Sequence, residues 1–198
     1  KPHPDFESKL LSNKRNIWVY LPPNYDSEPT RRYPVLYMHD GQNVFDGMTS
    51  YLPNLEWRVD EAAQALINAK VVEPLIIVGV SNAQVDRANE YLPTRRKMRD
   101  MEMGGKADLY GKFLTDEVMP FVNKTYRTKT GSKYTGLCGS SFGGVITLYL
   151  GLPRPEAFGR LAVVSPSLWW DDKLLIKAVT ALPKKLNEKI WVDTGTEE

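Results

Sequence analysis

Apolar positions along this chain switch between a period of two and a period near 3.6, and the switches mark its elements. The run Arg15 to Leu21 alternates apolar and polar side chains and closes on Pro22-Pro23-Asn24. It predicts an antiparallel strand with one solvated face, at the edge of the sheet. Tyr33 to Met38 and Leu75 to Val80 are apolar nearly throughout, as strands buried on both faces are. Between them Trp57, Val59, Ala62, Ala63, Leu66 and Ile67 recur at helical spacing, predicting a helix from about Glu56 to Lys70 and so a βαβ unit. A long loop through Asn82 to Lys106 leads to a second amphipathic helix carrying Leu109, Phe113, Leu114, Val118, Phe121 and Val122. Further on, Tyr134 to Cys138, Arg160 to Val164 and Lys189 to Asp193 read as strands, with a helix near Lys173 to Ala181 before the last. The β-α-β order predicts an α/β chain with a mainly parallel central sheet and helices on both faces.

One junction carries chemistry as well as shape. Gly139-Ser140-Ser141-Phe142-Gly143 follows the short apolar strand and opens directly into Val145 to Leu150, which ends at Gly151 and Pro153. A strand, a Gly-x-Ser-x-Gly turn and a helix in succession form a nucleophile elbow. Only Ser141 has glycine two residues before and two after, so Ser141 is the tip and Ser140 its neighbour.

With 198 residues, 42% apolar and 25% charged, the chain suits one domain, 1–198, around one core. A net charge of +2 gives no case for a nucleic-acid partner, and a small-molecule substrate is expected instead. The single cysteine, Cys138, lies on the apolar strand before the elbow and reads as a buried thiol. No apolar run reaches the roughly 18 residues of a membrane span, so no membrane partner is expected; localisation stays open between cytoplasm and secretion after signal removal. No metal-ligand or dinucleotide motif is present in the sequence, so neither a metal nor a cofactor is expected.

In a parallel sheet the loops after the strands gather at one edge, where ligands bind. His39-Asp40-Gly41-Gln42-Asn43 can offer a backbone N–H there which, with the N–H of Phe142, completes the two-donor oxyanion hole of acyl transfer. Ser165-Pro166-Ser167-Leu168-Trp169-Trp170 brings adjacent tryptophans, at least one of which should line the cleft. Thr94 to Arg99 holds four cations in six residues, by default a solvated run and otherwise a basic lip for an anionic or polyphenolic acyl ester. Thr194-Gly195-Thr196-Glu197-Glu198 is where the acid of a triad in the order Ser, Asp/Glu, His belongs; Glu198 is the first choice, with Glu197 and Asp193 as alternatives.

Four pieces, Tyr37 to Asp46, Gly139 to Gly144, Ser165 to Trp170 and Asp193 to Glu198, together resemble the putative-esterase family of α/β-hydrolases, which includes esterase D, enterochelin esterases, feruloyl esterases and mycolyltransferases. The resemblance implies Ser141 as nucleophile, the amides of Gln42 and Phe142 as oxyanion hole and Glu198 as acid, and it places Arg87 near the cleft as a substrate contact beside Trp169 and Trp170. The expected activity is ester hydrolysis through an acyl-enzyme, on a siderophore, cinnamoyl-sugar or other aromatic acyl ester. An acyltransferase with the same acyl-enzyme, or a catalytically silent binding protein, are the alternatives. The family's histidine follows the acid, whereas this chain holds only His3, near the terminus, and His39, beside the oxyanion loop. The expectation is therefore that the natural protein continues past Glu198 into another helix, a further strand and a loop bearing that histidine.

Overall fold

Side-chain parity along the central strands decides which layer each residue joins. The structure, a computed structural model, describes residues 1–98, 100–182, 186 and 188–195. In β3 (Val35–His39) and β4 (Ile76–Val80), Val35, Tyr37, Ile76, Val78 and Val80 enter one apolar cluster, together with Leu137 and Val163. Their alternates Met38 and Ile77 enter a second cluster with Cys138, Ala63 and Ile67. Residues one apart face opposite sides of the sheet, so both layers are built from the same strands.

The described sheet has seven strands in the order β1-β2-β4-β3-β7-β8-β9. Here β1 is Pro2–Ser8, β2 Asn13–Tyr20, β7 Thr135–Ser141, β8 Arg160–Pro166 and β9 Lys189–Val192. The pairs β4·β3, β3·β7, β7·β8 and β8·β9 are parallel; β2 runs antiparallel to both β4 and β1. Helix α1 (Val59–Asn68) covers the smaller cluster through Ala63 and Ile67. The larger face is covered by a helical run and by α5 (Phe142–Gly151). That run is α3 (Ala107–Lys112), a π-wound stretch Phe113–Val118 and α4 (Met119–Thr125). The π winding falls just ahead of Pro120, which lacks the N–H an α-helix would use.

Several expectations are corrected. The strand from Arg15 is interior: β1 lies outside it, and its prolines at 2 and 4 are tolerated because the strand is an edge. His3 accordingly sits in the sheet, its Nε2 2.6 Å from the Tyr126 hydroxyl. The stripe on α1 is narrower than its spacing suggests, since Leu66 and Trp57 are exposed. The loop from Asn82 to Lys106 contains α2 (Arg87–Tyr91) and a hairpin of β5 (Arg96–Met98) with β6 (Met101–Met103). The last helix, α6 (Trp170–Thr180), has left-handed backbone at Asp171, Asp172 and Lys173.

A desolvated ion pair ties the antiparallel edge to α2. Arg15 on β2 binds both carboxylate oxygens of Glu90 at 2.8 Å, with each side chain 1% exposed. Asn13 donates to Glu90 at 3.1 Å, and the guanidinium lies 4.6 Å from the Phe113 ring centre. Removing one member of such a pair strands the other, which typically costs about 3–5 kcal/mol. Glu90→Ala is expected to lower unfolding free energy by that amount in urea titration; a loss of only a few tenths would show that the pair is solvated.

Candidate active site

At the carboxyl edge of the sheet β7 turns into α5 without a linker. Ser141 is the last residue of the strand and the N-cap of the helix, at φ 56° and ψ −120°. A non-glycine residue there is strained by about 1–3 kcal/mol, and the strain leaves its side chain exposed at the tip. Gly139 makes the turn possible: a Cβ on it would lie 2.4 Å from the Gly143 carbonyl oxygen and 2.8 Å from the His39 ring. Among the described residues no side chain caps the first turn of α5, so the N–H groups that begin with Phe142 have no side-chain acceptor there.

The neighbouring strand β3 ends in a second turn. Asp40 is left-handed at φ 56° and leads into a 3₁₀ turn, Gly41–Asn43. Its closeness to β4 explains the glycine, since a Cβ on Gly41 would lie 2.3 Å from the Gly79 carbonyl carbon. The Asp40 carboxylate receives Arg87 Nε at 2.7 Å and Nη2 at 2.8 Å, and Asn82 Nδ2 at 2.6 Å. Asn82 N–H donates to Gln42 Oε1 at 3.1 Å, and Thr49 Oγ1 donates to the Gln42 carbonyl at 2.7 Å. The side chain and the carbonyl of Gln42 are thereby both tied down.

Arg87 does more than hold Asp40. Its guanidinium also lies 5.6 Å from the Phe142 ring and 3.5 Å from the Ser140 carbonyl oxygen. It is an anchored cation bridging the turn after β3 and the elbow, with its charge already matched by Asp40.

The tryptophans divide. Trp169 is 54% exposed and its ring centre is 6.1 Å from that of Phe142; Trp170 is 4% exposed and donates its indole N–H to Thr94 Oγ1 at 3.0 Å. Trp169 faces the solvent side of the site and Trp170 belongs to the core beneath it. Of the basic run, Arg95, Arg96, Lys97 and Met98 are exposed, and Arg96 pairs with Asp171.

Glu198 and Glu197 lie outside the described residues. Asp193, the other acid weighed, accepts the Ser165 N–H at 2.8 Å and so braces the loop after β8. Ser141 Oγ has a neighbour that the motif does not announce, Ser167 Oγ at 3.2 Å. Asn82 and Ser167 are both ordinary loop residues in the sequence, and only the fold brings them to the turn and the tip. Neither histidine hydrogen-bonds Ser141 among the described residues: His39 Nδ1 is 2.9 Å from the Tyr110 hydroxyl and His3 is held by Tyr126. Cys138 is buried, and burial pushes its thiol up to about 12, as expected of a structural cysteine.

With this geometry in place, similarity to known proteins assigns the class. The family described as "Putative esterase" matches residues 8–198, and the chain belongs to that family of carboxylic-ester hydrolases. It is 28% identical to the uncharacterized protein YjcH of Bacillus subtilis over 194 residues, covering 98% of this chain and 71% of that protein. To the ferri-bacillibactin esterase BesA of the same organism it is 25% identical over 199 residues, covering 94% of this chain and 68% of BesA. An IroE-like serine hydrolase from Shewanella oneidensis superposes with a TM-score of 0.78 at 24% identity, over 97% of this chain and 59% of that one. The fold is the α/β-hydrolase fold.

His39 provides a test of the buried layer under the site. It is 3% exposed, and burial lowers its pKa to about 4, against a smaller opposing pull from Asp40. Because the folded value lies below the ordinary 6.5, the unfolded chain takes up the proton first as pH falls. Stability is therefore full above about pH 6.5 and is lost toward pH 4, by at most about 3 kcal/mol from this group. Wild type is expected to lose about that much more than His39→Gln between pH 7 and pH 4 in denaturant titrations. Parallel losses would mean that His39 takes up its proton without unfolding.

Proposed function

We propose that the chain hydrolyses carboxylic esters of aromatic acyl groups through an acyl-enzyme on Ser141, with the backbone N–H groups of Gln42 and Phe142 as oxyanion hole. The observation that carries this reading is the backbone of Ser141, φ 56° and ψ −120°, with an exposed side chain at the start of an uncapped helix. A hydroxyl so placed can reach an ester carbonyl whose oxygen enters the helix N-terminus and the adjoining turn. The Ser141 hydroxyl attacks the carbonyl carbon and its proton passes to a base. The tetrahedral oxyanion is held by the two amides until the alcohol leaves, and water then releases the acid. His39 and His3 are both engaged with tyrosines, so the reading requires a base that these two do not supply. Glu198 keeps the role of the acid that orients it.

An aromatic acyl group suits the wall beside the nucleophile, where Trp169 presents an exposed ring 6.1 Å from that of Phe142. The exposed cations Arg95, Arg96 and Lys97 favour an acid or polyphenol carrying negative charge. BesA is by name a ferri-bacillibactin esterase, which supports a siderophore ester among the aromatic candidates. Arg87 and Trp170, one paired with Asp40 and the other buried, support the site from behind in this proposal and do not grip the substrate directly.

A fluorophosphonate probe applied to the full natural chain is expected to modify Ser141 by peptide mass mapping, and Ser141→Ala to lower kcat by about 10⁴-fold or more without unfolding the protein. Modification of Ser140 in place of Ser141 would contradict the assignment. Trp169→Ala is expected to cut kcat/KM for a feruloyl or benzoyl ester about tenfold while leaving an acetyl ester nearly unchanged. Equal losses on both would make Trp169 a packing residue.

A further inference from the structure

We propose that Ser167 donates a hydrogen bond to the Oγ of Ser141 throughout the reaction and is a further catalytic group of the site; this rests on Ser141 being the nucleophile. Their hydroxyl oxygens are 3.2 Å apart, and the loop that delivers Ser167 is fixed on several sides. Ser167 N–H donates to the Ser141 carbonyl at 3.3 Å, and Trp170 N–H donates to the Ser167 carbonyl at 3.2 Å. Upstream, Ser165 is held at a positive φ of 36° with its N–H on Asp193 Oδ1 at 2.8 Å, while Asp193 N–H is bound to Val163 at 3.2 Å. The pairing of β7 with β8 shifts register between Ser140 and Ser141, so that Ser141 lies opposite Pro166. The end of β9, the loop after β8 and the elbow thus form one braced unit with the two hydroxyls at its open end.

Chemistry sets the direction of the bond. A nucleophilic serine must direct its own proton at a base and one lone pair at the acyl carbon. Its second lone pair is then the acceptor available to Ser167, which has a proton to give. During acylation the Ser141 O–H bond breaks toward the base and the Oγ–C bond forms, then the ester C–O bond breaks and the base passes that proton to the leaving alcohol. During release water gives a proton to the base as its oxygen adds to the acyl carbon, the C–Oγ bond breaks with its electron pair returning to Oγ, and the base returns that proton to Oγ. Ser167 keeps its own proton in both half-reactions. Its hydrogen bond is strongest while Oγ carries developing charge, because bonds to charged groups exceed neutral ones. The effect therefore falls on the transition state and not on substrate binding.

The test uses the full natural chain and p-nitrophenyl acetate, with Ser167→Ala, Ser167→Thr, Ser167→Val and Ser141→Ala compared. Ser167→Ala is expected to lower kcat about tenfold with KM unchanged. Ser167→Thr, which keeps the hydroxyl, is expected to recover most of it, and Ser167→Val, the same shape without the hydroxyl, to stay low. Equal kcat for Thr and Val, or a loss carried by KM, would overturn the inference, and that pair decides even if the alanine variant fails to fold. Ser141→Ala serves separately: turnover at the wild-type level in that variant would overturn the nucleophile assignment itself, whatever the Ser167 series gives.

Discussion

The backbone of Ser141 is the constraint on which the rest of this site depends. A residue at φ 56° and ψ −120° is unfavourable on its own, and it is held because both elements it joins are buried. Strand β7 is paired on one side with β3 and on the other with β8, and α5 is buried along most of its length. Neither can move to relax the turn without opening the larger cluster. The strain converts packing energy into position: the hydroxyl is exposed and the helix N-terminus stays open to an anionic oxygen.

A second, electrostatic arrangement holds the turn after β3 against that tip. Asp40 is buried, yet its carboxylate is saturated by Arg87 and Asn82, which is what a buried charge requires. Because Arg87 also lies against Phe142 and the Ser140 carbonyl, one cation joins the two turns that carry the candidate donors. His39, neutral beneath them, adds bulk and a hydrogen bond to Tyr110 without adding a competing charge. The two turns are thus held in place by paired and hydrogen-bonded groups behind them.

What was legible beforehand follows from how locally each feature is encoded. The parallel strands and the elbow are written in short runs whose period and glycines have one structural reading, so β3, β4, β7, β8 and β9 fall where the pattern puts them. Features set by distant partners escaped. Strand β1 carries two prolines and is a strand only because β2 needs an edge partner. The β5–β6 hairpin is charged and exposed, with no apolar alternation to announce it. Trp169 and Trp170 are identical in type and adjacent, and only the depth of the loop after β8 separates an exposed ring from a buried one. Arg87 is expected near the cleft as a substrate contact, and only the fold shows Asp40 facing it. Ser167 reads as a turn residue until the register shift in β8 brings it to Ser141.

The most direct measurement is a crystal structure of the full natural chain reacted with an aryl phosphonate, which mimics the tetrahedral intermediate. The account predicts phosphorus bonded to Ser141 Oγ, one phosphonyl oxygen within about 3 Å of the N–H groups of both Gln42 and Phe142, and Arg87 still paired with Asp40. Phosphorus on another residue, or a phosphonyl oxygen directed away from those two amides, would contradict it.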